Sequence, residues 1–158
     1  MKKMILAILI FVIVTVLVFK AANANATSLD KNTILKHNGK QFKIGLFIYK
    51  NKIFVPLKPI AKQLGYKIDW DEEHSTIGTN KDKYFAQFQL GIKTIFICND
   101  NQEDQITMDV VPIKISGMIY VPIKYLVESL GKYIETFEDK KIRVINITDI
   151  KLSHDVGE

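Results

Sequence analysis

The chain of 158 residues holds a single cysteine, Cys98, and three histidines, His37, His74 and His154. One cysteine excludes an internal disulfide, so the fold must be held by its own core, without the cross-links on which many small exported domains rely. Cys98 closes an apolar stretch and reads as a buried thiol, against intermolecular pairing or reactivity. The histidines stand far apart in sequence, and none has a partner at helical or strand spacing. They announce no metal cluster and read as solvated side chains. A glycine-rich phosphate loop, a nucleophile elbow and a Cys/His pair at catalytic spacing are also missing. No catalytic residue is nominated and no cofactor is implied. Lysines are spread through the chain without forming a stripe, which leaves out the electrostatic footprint of a nucleic-acid binder.

What is present begins with an address. Lys2 and Lys3 precede an apolar run from Met4 to Phe19, broken only by Thr15, and Ala24-Asn25-Ala26 supplies a small-x-small cleavage pattern. This is the layout of a secretory signal peptide over residues 1–26. The run of sixteen residues is short of the roughly twenty that span a bilayer. An uncleaved segment extended through Ala22 would instead anchor the chain, the one circumstance in which a membrane becomes a partner. No cysteine follows the run, so lipid modification is not indicated. Either way the remainder is expected outside the cytoplasm, secreted or at the cell surface. Removing residues 1–26 leaves 132, enough for one domain with a core of its own. Lys2, Lys3 and Lys20 leave with them, so the net charge falls from +5 to +2. Residues 27–33 read as a linker and residues 149–158 as a flexible tail.

The phrase Phe54-Val55-Pro56-Leu57-Lys58 returns as Tyr120-Val121-Pro122-Ile123-Lys124, and the offset of 66 holds through Gly65 and Gly131. A repeated unit dictates how the chain is built. In the first copy, Lys43 to Val55 reads as two strands turning at Tyr49 to Lys52. Pro56 opens a helix, and Leu57, Ile60, Ala61 and Leu64 line one face of it. Gly65 ends the helix. Lys67 to Trp70 and Thr76 to Thr79 follow as strands around an acidic turn. The second copy repeats this with Ile113 to Val121, then the stripe Ile123, Leu126, Val127 and Leu130, then Gly131. Tyr133 to Phe137 and Arg143 to Ile147 close it. Tyr84 to Leu90 and Lys93 to Cys98 form a strand pair between the copies. Helices of two turns need a sheet to cover their apolar stripe. The expectation is therefore an α+β domain over residues 34–148, with two short helices packed on antiparallel sheets of about eight to ten strands.

Three features carry candidate binding chemistry. Lys58 and Lys124 lie in the first turn of their helices, where the dipole is unfavourable to a cation and an anion would be welcome. Trp70, between Asp69 and Asp71, reads either as core or as a platform for a sugar ring. Phe137 is its expected counterpart, and a repeated aromatic argues for packing. The run Asn99 to Asp104 is rich in oxygen ligands, but it lacks the glycine and the alternation of a calcium loop and reads as a polar loop.

Val55-Pro56-Leu57-Lys58, Leu64-Gly65 and Ile68-Asp69-Trp70-Asp71 together resemble the copper amine oxidase-like N-terminal domain, also called the stalk domain. The resemblance runs over both copies, from Ile34 to Ile147. Lys58 and Lys124 replace the family's usual arginine, and Thr136-Phe137 replaces the second Trp-Asp. The resemblance implies no oxidase activity. That reaction belongs to a large separate domain supplying three histidine ligands and a tyrosine-derived quinone. In secreted Gram-positive proteins the stalk-like domain accompanies wall hydrolases and surface-layer modules. A non-catalytic cell-envelope module is therefore expected, with a cell-wall polymer or a surface protein as its partner. The alternatives are a membrane-anchored interaction or inhibitor module and, third, an enzyme.

Overall fold

The computed structural model describes residues 28–149, apart from 30, 101 and 140. The signal segment and the end of the tail lie outside the described residues. No described helix is long and apolar enough to cross a membrane.

Fourteen strands and two helices are described. In order they are β1 (Ser28–Leu29), β2 (Thr33–His37), β3 (Lys40–Gln41), β4 (Phe47–Tyr49), β5 (Lys52–Pro56), α1 (Leu57–Gln63), β6 (Lys67–Asp71), β7 (Thr76–Lys81), β8 (Tyr84–Gln89), β9 (Thr94–Asn99), β10 (Gln102–Thr107), β11 (Ile113–Ile115), β12 (Met118–Pro122), α2 (Ile123–Ser129), β13 (Tyr133–Asp139) and β14 (Ile142–Thr148). They build three sheets, ordered β1-β4-β5-β12-β11, β10-β9-β8-β7-β6 and β13-β14-β2-β3. The α+β expectation holds.

Strand expectations are corrected, beginning with their number, fourteen against the eight to ten expected. The sheets are not wholly antiparallel, because β14 runs parallel to β2, with Ile145 opposite Leu35. The polar run after Cys98 is not a loop throughout. From Gln102 it forms β10, an edge strand paired to β9. Edge strands carry charge to discourage further pairing, so Glu103 and Asp104 hid a strand behind a loop-like composition. Ser28 and Leu29, in the stretch read as a linker, pair with Ile48 and Phe47.

The hairpin turns follow from local chemistry. Lys50 and Asn51 both take positive φ (49° and 59°), as do Ser116 and Gly117 (48° and 80°). These are two-residue turns whose twist matches that of the flanking strands. Pro56 and Pro122 then sit as helix N-caps at φ −68° and −60°. Each helix runs seven residues. Each ends with the same pair of bonds. The Gly65 and Tyr66 amides donate to the Lys62 and Ala61 carbonyls at 3.0 and 2.9 Å, and those of Gly131 and Lys132 to Glu128 and Val127 at 3.0 Å each. That double bond pattern requires a left-handed residue just past the helix, supplied here by glycine at φ +86° and +64°.

Both apolar stripes are buried as expected. Leu57, Ile60, Ala61 and Leu64, with Ile123, Leu126, Val127 and Leu130, share one core with Val55, Val121, Phe88, Ile95 and Ile147. Strands β5 and β12 lie side by side at the centre of the first sheet, with Val55 opposite Val121. The other face of that pair carries a smaller aromatic cluster of Phe47, Phe54, Tyr49 and Tyr120 with Val110.

The leftover carbonyl at each helix end finds a side chain. Lys81 Nζ donates to the Leu64 oxygen at 3.1 Å, and the Tyr66 hydroxyl to the Leu130 oxygen at 2.6 Å. Burial, the largest cause, pushes the Tyr66 phenol up to about 12, so it remains a donor through the ordinary pH range.

Asp149, at the start of the expected tail, is tied down. Lys132 Nζ donates to its carboxylate, and Asn38 Nδ2 donates at 3.5 Å. His37 Nε2 stands 3.5 Å away, an ion-pair distance without a hydrogen bond. The Lys132 bond, above all, holds the Asp149 carboxyl below the usual carboxylate range. A carboxyl with a depressed folded-state pKa contributes stability above its unfolded value and loses it as pH falls through the folded one. The melting temperature is therefore expected to drop as pH is taken below about 4. Asp149→Asn should lower it at neutral pH, because the largely buried Lys132 ammonium loses its partner. The same change should flatten the acid slope. Thermal melts of both proteins across pH check this, and parallel slopes would refute the assignment.

Candidate functional site

A groove of about 460 Å3 opens where the two halves meet. Its three walls come from distant parts of the chain. Helix α1 contributes Lys58, Pro59 and Lys62, strands β6 and β7 contribute Ile68, Trp70 and Ile77, and the β11–β12 hairpin contributes Lys114, Gly117, Met118 and Ile119.

Trp70 is placed by register. It stands opposite Ile77, and Ile77 stands opposite Phe88, so all three side chains share one face of the second sheet. Ile77 and Phe88 are buried in the core, but β6 is the edge of the sheet and Trp70 stays 38% exposed. The reading of Trp70 as core is therefore corrected. Its ring faces inward but reaches only the rim, where α1 and the hairpin leave it uncovered. Asp69 and Asp71 alternate to the opposite face. They do not flank the ring, as their place in sequence suggested.

Phe137 is corrected as well. Its neighbour Thr136 pairs with the buried Ile145, so Thr136 takes the core-facing position and Phe137 points to the other face, 54% exposed. The one-residue offset from Trp70, measured from the preceding glycine, reverses the side on which the aromatic emerges.

Lys58 reaches the groove, but Lys124 does not. Lys124 lies on α2 in a separate, shallow concavity with Glu128 and Tyr133, its ammonium 5.4 Å from the Tyr125 ring centroid. Of the three nominated side chains, the fold thus joins Trp70 to Lys58 and sets Lys124 apart. It adds Lys62, Lys114 and Met118, which sequence reasoning missed. Lys62 was findable, since Lys58 and Lys62 are four residues apart on one helix and share a face. Lys114 carried no local signal, because it arrives from a hairpin in the other half. Its Nζ stands 5.7 Å from the Trp70 ring centroid, within cation–π range.

The groove is basic and lacks a counter-charge. No carboxylate is among its lining residues. Among the described residues none of Lys58, Lys62 and Lys114 has an ion-pair partner, although Lys52, Lys83 and Lys132 each have one. Flexible ammonium groups beside an exposed indole and the thioether of Met118, 46% exposed, can hold an anionic group next to a flat, weakly polar ring.

The remaining chemistry-bearing residues do not converge. His74 Nδ1 lies 2.7 Å from Asp71 Oδ2 and its amide donates to Asp71 Oδ1 at 3.1 Å, which together hold the Asp71 carboxyl below its usual range. His37 sits by Asp149 on a different sheet, and His154 lies outside the described residues. No group of three or more His, Cys, Asp or Glu among the described residues is placed to hold a metal ion. Cys98 is half-buried rather than buried. It projects from the outer face of the second sheet, opposite Phe85 and Glu103, because the apolar composition of β9 serves both faces.

No curated protein matches the chain. The family model for the copper amine oxidase N-terminal domain matches residues 22–145. That range takes in both helices and every wall of the groove, and ends within β14. The chain belongs to the copper amine oxidase N-terminal domain family.

Proposed function

We propose that the protein is a non-catalytic stalk-type module, exported from a bacterial cell, that binds or scaffolds at the cell wall or surface. The observation that carries this reading is the groove around Trp70, where an exposed aromatic meets three lysines that have no ion-pair partner among the described residues. That arrangement suits holding a ligand, and its lining holds no Ser, Cys, His or carboxylate side chain. The signal-like layout of residues 1–26 supports export.

The same reading takes the two halves as copies of one unit. Both helices are seven residues long, start behind a proline and end on a glycine with the same bonds. The pairing of Val55 with Val121 brings equivalent positions together about a local two-fold. The duplication then supplies two unlike concavities, since Lys124, Glu128 and Ile134 stand where Lys58, Lys62 and Ile68 stand, and Thr136 where Trp70 stands.

Sedimentation with purified bacterial cell walls tests the assignment. The exported protein is expected in the pellet with the walls. Equal recovery in the supernatant with and without walls would overturn it.

A further inference from the structure

We infer that the Trp70 groove binds a phosphodiester-linked saccharide chain, with a sugar ring against Trp70 and phosphate oxygens on Lys58, Lys62 and Lys114. The inference rests on the envelope-binding reading above and names its ligand chemistry.

The charge pattern is the first support. Lys58 and Lys62 are one helical turn apart, and like charges at that spacing destabilise a helix. A helix of only seven residues has little stability of its own to offset this. Both side chains nevertheless line the groove, and Lys114 is brought to them from the other half. Three cations from two separate elements, with no acidic side chain in the lining, form a surface complementary to an anion.

The kind of cation is compatible with a phosphate. Every groove cation is a lysine, a mobile point charge on a flexible stem. Planar bidentate recognition of carboxylate or phosphate is the work of arginine, whereas lysine binds phosphate as a point charge. Arg143, the one arginine of the chain, pairs with Glu138 on another sheet. Spaced ammonium groups without a fixed fork suit phosphate oxygens distributed along a polymer.

The aromatic supplies the rest. Trp70 and Met118 are both exposed beside the lysines. An indole face stacks on the apolar face of a sugar ring. The ammonium of Lys114 now stands by that ring, and an arriving phosphate gives it a stronger partner and frees the ring face for the sugar.

Cell walls are compared before and after hydrofluoric acid has removed their phosphodiester-linked polymer. Retention of the full chain is expected on untreated walls, to fall at least about tenfold on stripped walls, and to weaken as salt screens the contact. Trp70→Ala and the double variant Lys58→Gln/Lys62→Gln should each lose about tenfold in retention. Lys124→Gln, outside the groove, should lose nothing. Lys58 and Lys62 are exposed, so the double variant keeps its fold, and circular dichroism and thermal melting verify this for all three. Equal retention on stripped walls, or groove variants that bind like the parent, would overturn the groove assignment and leave the envelope reading standing. No retention on either wall preparation would overturn the envelope reading itself.

Discussion

Phe54→Ala is expected to destabilise the protein by about 3–5 kcal/mol. The side chain is fully buried. Its ring stacks on Phe47 at 5.3 Å between centroids and meets the edge of Tyr49 at 5.6 Å. Phe47, on β4, in turn contacts Tyr120, on β12, at 4.8 Å, reaching over β5. Truncation removes the transfer free energy of the ring and opens a cavity that the neighbouring aromatic rings, fixed on β4 and β12, cannot close. The loss is a large share of the roughly 5–15 kcal/mol that holds a domain of this size together. Urea unfolding followed through Trp70, the single tryptophan, measures it. The midpoint should fall with the slope unchanged. A loss below about 1 kcal/mol would mean that this second cluster is not packed as described.

Gly131→Ala is expected to cost about 2–5 kcal/mol, and Gly65→Ala only about 1–2 kcal/mol. Both glycines hold the left-handed conformation that ends a helix, so each substitution carries the steric cost of a Cβ there. Their surroundings differ. A Cβ at Gly131 would lie 2.5 Å from Cε1 of Tyr84, part of a rigid ring at the edge of the core. A Cβ at Gly65 would meet Lys81 Nζ at 3.2 Å, the far end of a chain that can swing aside. Displacing Tyr84 forces a rearrangement of packed atoms, which adds an overpacking term. Chemical denaturation of the two variants side by side reads the difference. Equal losses would show that the backbone conformation alone sets the penalty.

Much of the fold was legible because its punctuation is strong. Pro56 and Pro122 fix where strand becomes helix, and Gly65 and Gly131 fix where helix stops. The apolar stripes between them could only face a sheet. Three things were hidden for physical reasons. The parallel pairing of β14 with β2 joins the two ends of the domain, and no local pattern encodes a partner so distant in the chain. Strand β10 is polar because it is an edge. Trp70 was half legible. Its strand and its inward direction follow from alternation, but its exposure depends on β6 being an edge and on where the β11–β12 hairpin ends. For the candidate site, sequence nominated Trp70, Lys58 and Lys124, of which the fold brings the first two to one groove and places Lys124 elsewhere. Repetition makes Lys124 look equivalent, whereas the groove depends on Lys114, Met118 and the inward-facing tryptophan, none of which is repeated.

The side-by-side run of β2 and β14 has a mechanical meaning. Beyond the two-residue β1, the domain is entered through β2 and left after β14. Tension applied to its two ends pulls these neighbours in opposite directions along their length. The load falls as shear on the whole ladder from Thr33 opposite Arg143 to His37 opposite Ile147, rather than peeling it one rung at a time.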